Sequence, residues 1–373
     1  MPDEHSPGEK YWQVKYSWLE SCGYQLRPRY RPGWTPSWIT DPPKDSYGRK
    51  KREDYTYFLT PQIMDAIRVK DGRYVMLKRI HKLQSGYNQE VEISLYLSSP
   101  ELSKDPCNHC VPIYELLEPS DDDTYSILVM PLLREFDADR FDTVGECVDF
   151  FQEIFKGLQF IHQQHIVHRD CTGPNVMMDG SVMYPYGFHP VKPHRNREFT
   201  GSAKQAYTRT QRPPKYYWID FGNSARFDPW DKSPRIYPVH GTDHSAPEFQ
   251  DPKSEDQLLD PFPTDIYYLG NLIRLYFTEG WPDLGFPKVY GLDFLKPLVN
   301  DMVNEDPMKR PTIDQCVIRL NDIIRQQSSW TLRAQVWHSD DNIFGFVYRF
   351  FPHWARRLYY IVTQTRPIPC RPE

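Results

Sequence analysis

The sequence predicts an α+β protein in which a smaller strand-rich part precedes a larger helical part. Two patterns carry this expectation. Between about Tyr57 and Leu133 the apolar residues fall in short runs such as Tyr74-Val-Met-Leu77 and Ile127-Leu-Val-Met130, the pattern of half-buried or buried strands. Beyond Val144 they recur at intervals of three and four, through Val144, Val148, Phe151, Phe155, Leu158 and Ile161, which is one face of an amphipathic helix. With 39% hydrophobic and 15% aromatic residues among 373, the chain has enough apolar surface for a sizeable core, which excludes global disorder.

Taken in order, residues 1–56 are rich in Trp, Tyr, Pro and Arg and show no long period, so they read as an extension that packs its aromatics onto a neighbouring domain. The Arg49-Lys-Lys-Arg52 run reads as a solvated loop or a nuclear-localisation patch. An Asp71-Gly72 turn introduces a strand over Arg73–Lys78, Gln89–Leu97 reads as a short helix, and Ser126–Met130 as a buried strand. After the long helix, the period disappears between Met178 and Tyr216 into Gly, Pro, His, Arg and Tyr. A stretch of that length is expected to be functional or mobile. Further helical stripes run through Ile266, Leu269, Ile273 and Tyr276, and through Ile313, Val317, Leu320 and Ile324, the latter opened by a Thr312/Gln315 capping box. Near the end, Ile343, Phe346, Val347, Phe350, Trp354, Leu358 and Ile361 form another stripe, interrupted by Pro352, which is expected to kink it. Docking of this segment onto the main body is the expectation, with membrane contact as the alternative.

Composition narrows the function. The 45 basic and 50 acidic residues leave a formal charge of −5, so nothing argues for nucleic acid as a partner. Seven cysteines, an odd number, do not form a secreted disulfide framework, and Cys107-Asn-His-Cys110 lacks the second ligand pair of a zinc site. An acidic, polar N-terminus and the lack of a long apolar run lead us to expect neither a signal peptide nor a transmembrane helix, and an intracellular location, cytoplasmic or nuclear. The 35 prolines against 19 glycines imply long, stiff connections.

The motifs that carry chemistry begin with the segment after the long helix. Ile166-Val-His-Arg-Asp170-Cys-Thr-Gly-Pro-Asn175 follows the long helix and carries H-R-D-x-x-x-x-N. The spacing puts a carboxylate able to take a hydroxyl proton and an amide oxygen able to hold a divalent cation on one loop. Tyr216-Tyr-Trp-Ile-Asp220-Phe-Gly222 is a buried run ending in D-F-G. Val75-Met-Leu-Lys78, Ala246-Pro-Glu248, Thr264-Asp265-Ile-Tyr-Tyr-Leu-Gly270 and Asp306-Pro-Met-Lys-Arg310 complete an ordered series. Each alone occurs by chance; in this order they resemble the eukaryotic protein kinases. The resemblance covers about Tyr57 to Gln326, and the flanks resemble those of divergent fungal protein-kinase-like proteins.

The resemblance implies a bilobal protein-kinase fold: an N-terminal extension at 1–56, a small β-rich N-lobe at 57–133, a larger helical C-lobe at 134–326 with an insert at about 179–215, and an aromatic and basic tail at 327–373. It implies transfer of the ATP γ-phosphate to Ser or Thr hydroxyls of a protein substrate. Asp170 would be the base, Asn175 and Asp220 the Mg²⁺ ligands, and Lys78 the phosphate contact, paired with Glu90 or Glu92. Met76 would face adenine, and Pro131 and Leu133 would lie in the hinge that binds it. Glu248 would pair with Arg310, and Asp265 would anchor the catalytic loop.

Four departures bear on turnover. No G-x-G-x-x-G precedes Lys78, the corresponding stretch being Leu59–Val69. Met76 replaces a small residue, Thr172 and Pro174 stand where a Lys or Arg usually neutralises the phosphoryl group, and Asn175 and Asp220 are separated by the long insert. A pseudokinase, an ATP-binding or scaffolding module with little turnover, is therefore the alternative. A small-molecule phosphotransferase shares the loop logic but not the Ala246-Pro-Glu248, Asp265 and Arg310 set.

Overall fold

The computed structural model describes residues 4–83, 88–239, 241–250 and 256–371, with the side chains of 46–47 and 343–348 outside the described set. The chain divides into two compact units. The first takes in 1–98, 111–134 and 179–206, and the second 99–110, 135–178 and 207–373.

In the first unit, β1 (Tyr24–Gln25), β2 (Ile63–Arg68), β3 (Arg73–His81), β4 (Glu115–Leu117) and β5 (Tyr125–Pro131) form one antiparallel sheet in the order β1-β2-β3-β5-β4. Side chains alternate across a strand, so the faces meet different partners. Val75, Leu77, Ile127 and Val129, with Met64 and Ala66, pack on Trp12, Tyr16, Leu19, Tyr24, Leu26 and Tyr30 of the N-terminal segment. Residues of the opposite parity, Ile80 and Leu128, pack with Val91 of a helix, Gln89–Leu97, whose first turn is capped by Asn88. The aromatic extension is thus the outer layer of the sheet, with helices Pro7–Val14 and Tyr16–Ser21 supplying Trp12 and Tyr16 and the chain after them supplying Tyr24 and Tyr30.

Buried arginines hold that layer in place. Arg27 donates from Nε to Asp65 Oδ1 at 2.9 Å and from Nη1 to Glu53 Oε1 and the Thr56 carbonyl, both at 2.9 Å. Arg29 donates to Glu9 Oε1 and to the Asp54 carbonyl, each at 2.7 Å. The Leu59–Val69 stretch, expected to be the loop that replaces a glycine-rich turn, is corrected here: Ile63–Arg68 is strand β2, in register with β3 from Ile63 opposite Lys78 to Arg68 opposite Arg73. Met64 and Ala66 belong to the aromatic core, and the turn ahead of them is fixed by the Trp12 indole donating to the Pro61 carbonyl at 3.1 Å.

The unpatterned stretch after Met178 is divided. Residues 179–206 group with the first unit and not with the chain that flanks them, which corrects their assignment to a C-terminal lobe. Met183, Tyr184, Phe188 and Phe199 are buried, and the Arg134 guanidinium lies over the Tyr184 ring at 4.5 Å and donates to the Pro193 carbonyl at 2.6 Å. His189 meets Glu53 at 3.2 Å, joining the insert to the carboxylate that also serves Arg27.

The second unit is built on three long helices: Val144–Gln163, Phe262–Ile273, and Ile313–Arg325, the last with both arms of the Thr312/Gln315 capping box formed. Phe150, Phe151, Phe155 and Leu158 are buried at its centre. Two short antiparallel pairs carry the chemistry-bearing loops: β6 (Ile166–Val167) with β9 (Ala225–Arg226), and β7 (Val176–Met178) with β8 (Tyr216–Trp218).

The tail forms a helix over Ile343–Val362 that continues through Pro352. Of the expected stripe, Ile343, Phe346 and Val347 lie outside the described side chains, and Leu358 is 58% exposed, so the apolar stripe is not the docked face. His353, Arg357 and Tyr360 are buried instead. Arg357 stacks on the Trp330 ring at 3.7 Å and donates to the Trp330 carbonyl at 2.9 Å, while Arg356 donates to Asp142 at 2.8 Å. Docking follows cationic and hydrogen-bonding complementarity, which hydrophobic spacing cannot reveal. No helix among the described residues is long and apolar enough to cross a membrane.

The Arg27–Asp65 pair yields a stability prediction. Asp65→Asn removes the more deeply buried of the two carboxylates on Arg27 and leaves Glu53 as its remaining counter-charge, so it is expected to destabilise by less than the full cost of about 3–5 kcal/mol for an unpaired buried charge. Thermal melting checks this: Asp65→Asn should melt well below wild type, and the exposed Asp123→Asn should not.

Candidate active site

The 166–175 loop is fixed from below by one carboxylate. Asp265, fully buried in the Phe262–Ile273 helix, accepts from the backbone N–H of His168 at 2.8 Å and of Arg169 at 2.7 Å, and meets His162 Nε2 at 2.9 Å. Burial pushes the Asp265 carboxyl up, but the hydrogen bond and charge of His162, with the His168 contacts, outweigh it and hold the group below its ordinary range. These bonds support Arg169 in the left-handed region, at φ 65°, where a non-glycine residue is strained.

The turn presents Asp170 and Asn175 together. Asn175 donates from Nδ2 to the Asp170 carbonyl at 2.9 Å, which leaves its amide oxygen as the acceptor available for a cation. The backbone N–H of Ile219 donates to the Asn175 carbonyl at 3.0 Å, so the neighbouring Asp220 is set beside this turn. Asp220 also takes the left-handed conformation, φ 61°, and its Oδ1 accepts from the Gly222 N–H at 3.2 Å. Phe221 is buried with its ring 5.2 Å from that of His168, and His168 donates from Nε2 to the Ile219 carbonyl at 3.0 Å. Histidine, aspartate and asparagine of one loop are thereby tied to the aspartate and phenylalanine of the other.

Sequence reasoning missed one contact on Asp170. Thr242 donates from its backbone N–H to Oδ1 at 2.8 Å and from its hydroxyl to Oδ2 at 3.1 Å, and the Thr172 hydroxyl donates to Oδ1 at 3.3 Å. A Cβ on Gly241 would lie 2.6 Å from Oδ1, so only glycine permits this approach. The signal was present as Gly241-Thr242, but its partner lies 72 positions away.

Glu248 and Arg310 form the expected pair, bidentate at 2.7 Å for both bonds, and Thr264 adds a hydroxyl at 2.8 Å. Burial raises the Glu248 carboxyl and the Arg310 bonds and charge lower it further, leaving it below its ordinary range. Arg169 donates to the Tyr237 carbonyl at 2.8 Å.

The other expected residues lie in the first unit. Lys78 Nζ donates to Glu90 Oε1 at 2.5 Å, with Glu90 buried on the inner face of its helix and Glu92 exposed on the outer one, so the choice between the two falls to Glu90. Met76 shares the Lys78 face of β3 and is flanked in the sheet by Asp65 and Met130. Pro131 ends β5 opposite Val75, and Leu133 follows, buried. No group of three or more His, Cys, Asp or Glu gathers as a metal cage among the described residues. Asp220 and Asn175, on adjoining turns, are the two residues whose side-chain oxygens could hold a divalent cation. That suits Mg²⁺, which takes one or two protein ligands and completes its shell with water and phosphate oxygens.

The lowered Glu248 carboxyl has a pH consequence. A group whose folded pKa is depressed stabilises the fold above its unfolded pKa and loses that contribution as pH falls through the folded value. Acid melts of wild type should therefore steepen below the ordinary carboxylate range. Glu248→Gln should melt lower at neutral pH and show a shallower acid dependence. No protein-family model matches the chain, and no curated protein matches it.

Proposed function

We propose that the chain is a protein kinase of the eukaryotic type, with a bilobal arrangement, that transfers the ATP γ-phosphate to Ser or Thr hydroxyls. The observation that carries this reading is the single constellation of Asp170, Asn175 and Asp220, oriented by Asp265 and by the left-handed turns at Arg169 and Asp220. These are the groups that phosphoryl transfer needs on adjoining loops.

In this reading Lys78, held by Glu90, contacts phosphate oxygens, and Asp220 and Asn175 hold Mg²⁺, which supplies counter-charge to the phosphates when bound. Asp170 orients the acceptor hydroxyl. The hydroxyl oxygen bonds to the γ-phosphorus as the bond to the β,γ-bridging oxygen breaks; ADP leaves, and the hydroxyl proton passes to Asp170. Thr242 steadies the Asp170 carboxylate and returns a hydrogen bond to whichever oxygen does not receive the proton. Met76, Pro131 and Leu133 are the residues assigned to the adenine side.

A pseudokinase is the second reading, and strand β2 favours it. Ile63–Arg68 is paired into the sheet and Met64 is buried, so no glycine-rich backbone offers its amides to phosphate there.

Purified protein with Mg·ATP and a generic Ser/Thr substrate tests the choice. The active reading predicts transfer that Asp170→Asn reduces by about 10²–10⁴-fold, the usual worth of a general base, with melting temperature and ATP binding nearly unchanged. Transfer by Asp170→Asn equal to that of an active wild type removes Asp170 as the base, and no transfer by wild type above a protein-free blank selects the pseudokinase.

A further inference from the structure

The tail helix Ile343–Val362 is turned inside out relative to its own apolar pattern. A surface helix ordinarily lays its apolar stripe on the core and gives its charged side to water. Here His353, Arg357 and Tyr360 are the buried residues, and Arg349 and Arg356, on the same side, pair with Asp341 and Asp142 of the body. Phe351, Ala355, Leu358 and Val362, at intervals of four, three and four, lie in a row along the other side. All four are exposed, Phe351 at 68% and Val362 at 82%, and the exposed Tyr359 and Ile361 flank them.

The patch continues onto a second element. Trp330, in the short helix Ser329–Leu332, is 60% exposed, and its ring lies 6.2 Å from that of Trp354 on the tail helix. Single exposed apolar residues need no account, but a row of them bordered by tryptophan marks a contact surface.

Charge indicates what covers it. From Ile343 to Pro372 the chain carries five arginines and no aspartate or glutamate. Arg349, Arg356 and Arg371 are paired with Asp341, Asp142 and Glu153. Arg357 and Arg366 instead donate to the Trp330 carbonyl at 2.9 Å and to Cys370 Sγ at 3.3 Å, and Arg333 donates to the Thr365 carbonyl. Among the described residues, none of these three guanidinium groups meets a carboxylate. A second copy of the chain would set the same cations against each other. A bilayer with anionic headgroups answers both features, with acyl chains for the apolar row and negative charge for the arginines.

We infer that the protein docks on anionic membrane surfaces through this helix, which lies in the plane of the interface. Phe351, Leu358 and Val362 enter the acyl boundary, and Arg333 and Arg366 face the headgroups. The inference goes beyond the kinase reading and does not depend on it. The inward side explains how docking and membrane contact coexist: Arg356 on Asp142 and Arg357 on Trp330 tie the helix to the body without using its apolar row.

The test pellets full-length protein with vesicles of phosphatidylcholine, with and without phosphatidylserine. Wild type should bind the phosphatidylserine vesicles at least about tenfold tighter than phosphatidylcholine alone, as two nearby cations provide. Leu358→Asp should weaken that binding by about tenfold or more, the effect of losing one inserted apolar side chain. Arg366→Glu should weaken binding only to the phosphatidylserine vesicles. Both side chains are exposed, so neither variant should shift the melting curve. Wild type that stays in the supernatant with both vesicles overturns the inference, as does Leu358→Asp that pellets like wild type. A lowered melting temperature for Leu358→Asp also overturns it, because the row would then serve the protein's own packing. Sedimentation equilibrium without lipid supplies the last arm: a dimer that Leu358→Asp dissociates assigns the face to a second copy and rejects the membrane.

Discussion

The buried carboxylate of Asp265 accepts two successive backbone N–H groups, those of His168 and Arg169, and a histidine ring from the neighbouring helix. Charge-assisted bonds of this kind are among the strongest available in a protein interior, and here they hold a strained backbone. Without them Arg169 would relax out of its left-handed conformation. Asp170 and Asn175 would then no longer present a carboxylate and an amide oxygen in one place. The constraint spreads from there: Asn175 accepts from the N–H of Ile219, next to Asp220, the Phe221 ring lies against that of His168, and Thr242 closes over Asp170. The Glu248–Arg310 pair secures the far end of the segment that carries Thr242.

The first unit solves a different problem. A five-stranded sheet has two faces to cover, and Gln89–Leu97 covers only one. The N-terminal aromatics cover the other, and buried arginines supply the hydrogen bonds that its irregular backbone needs. A segment that must place Met64 and Ala66 in an aromatic core cannot also be a glycine-rich turn. Lys78 and Glu90 lie on the opposite face and are untouched by this change.

Much of this was legible in sequence. The 3–4 spacing located Val144–Gln163, and the Thr312/Gln315 signature located the start of Ile313–Arg325, because local hydrogen bonding decides both. The Gln89–Leu97 helix and the strands around Lys78 and Leu128 were also readable. Strand β2 was not, because Asp65 interrupts its apolar run and is explained only by Arg27, far away in sequence. The placement of 179–206 was illegible for the same reason: its anchors, Glu53 and Arg134, lie outside it. In the site, Asp170, Asn175, Asp220 and the Glu248–Arg310 pair stood out as spaced motifs. The contact of Thr242 on Asp170 and the close approach of the Tyr276 ring to Gly173 depend on tertiary packing, which spacing does not encode.

In the proposed function, Asp220 and Asn175 would form a metal-dependent phosphate site in a chain whose strand β2 withholds backbone donors. Calorimetric titration of ATP, with Mg²⁺ and again with EDTA, tests it most directly. The account predicts weak binding with Mg²⁺ that nearly disappears with EDTA, in Asp220→Asn and in Lys78→Met. Tight binding indifferent to magnesium and to Asp220 would contradict it.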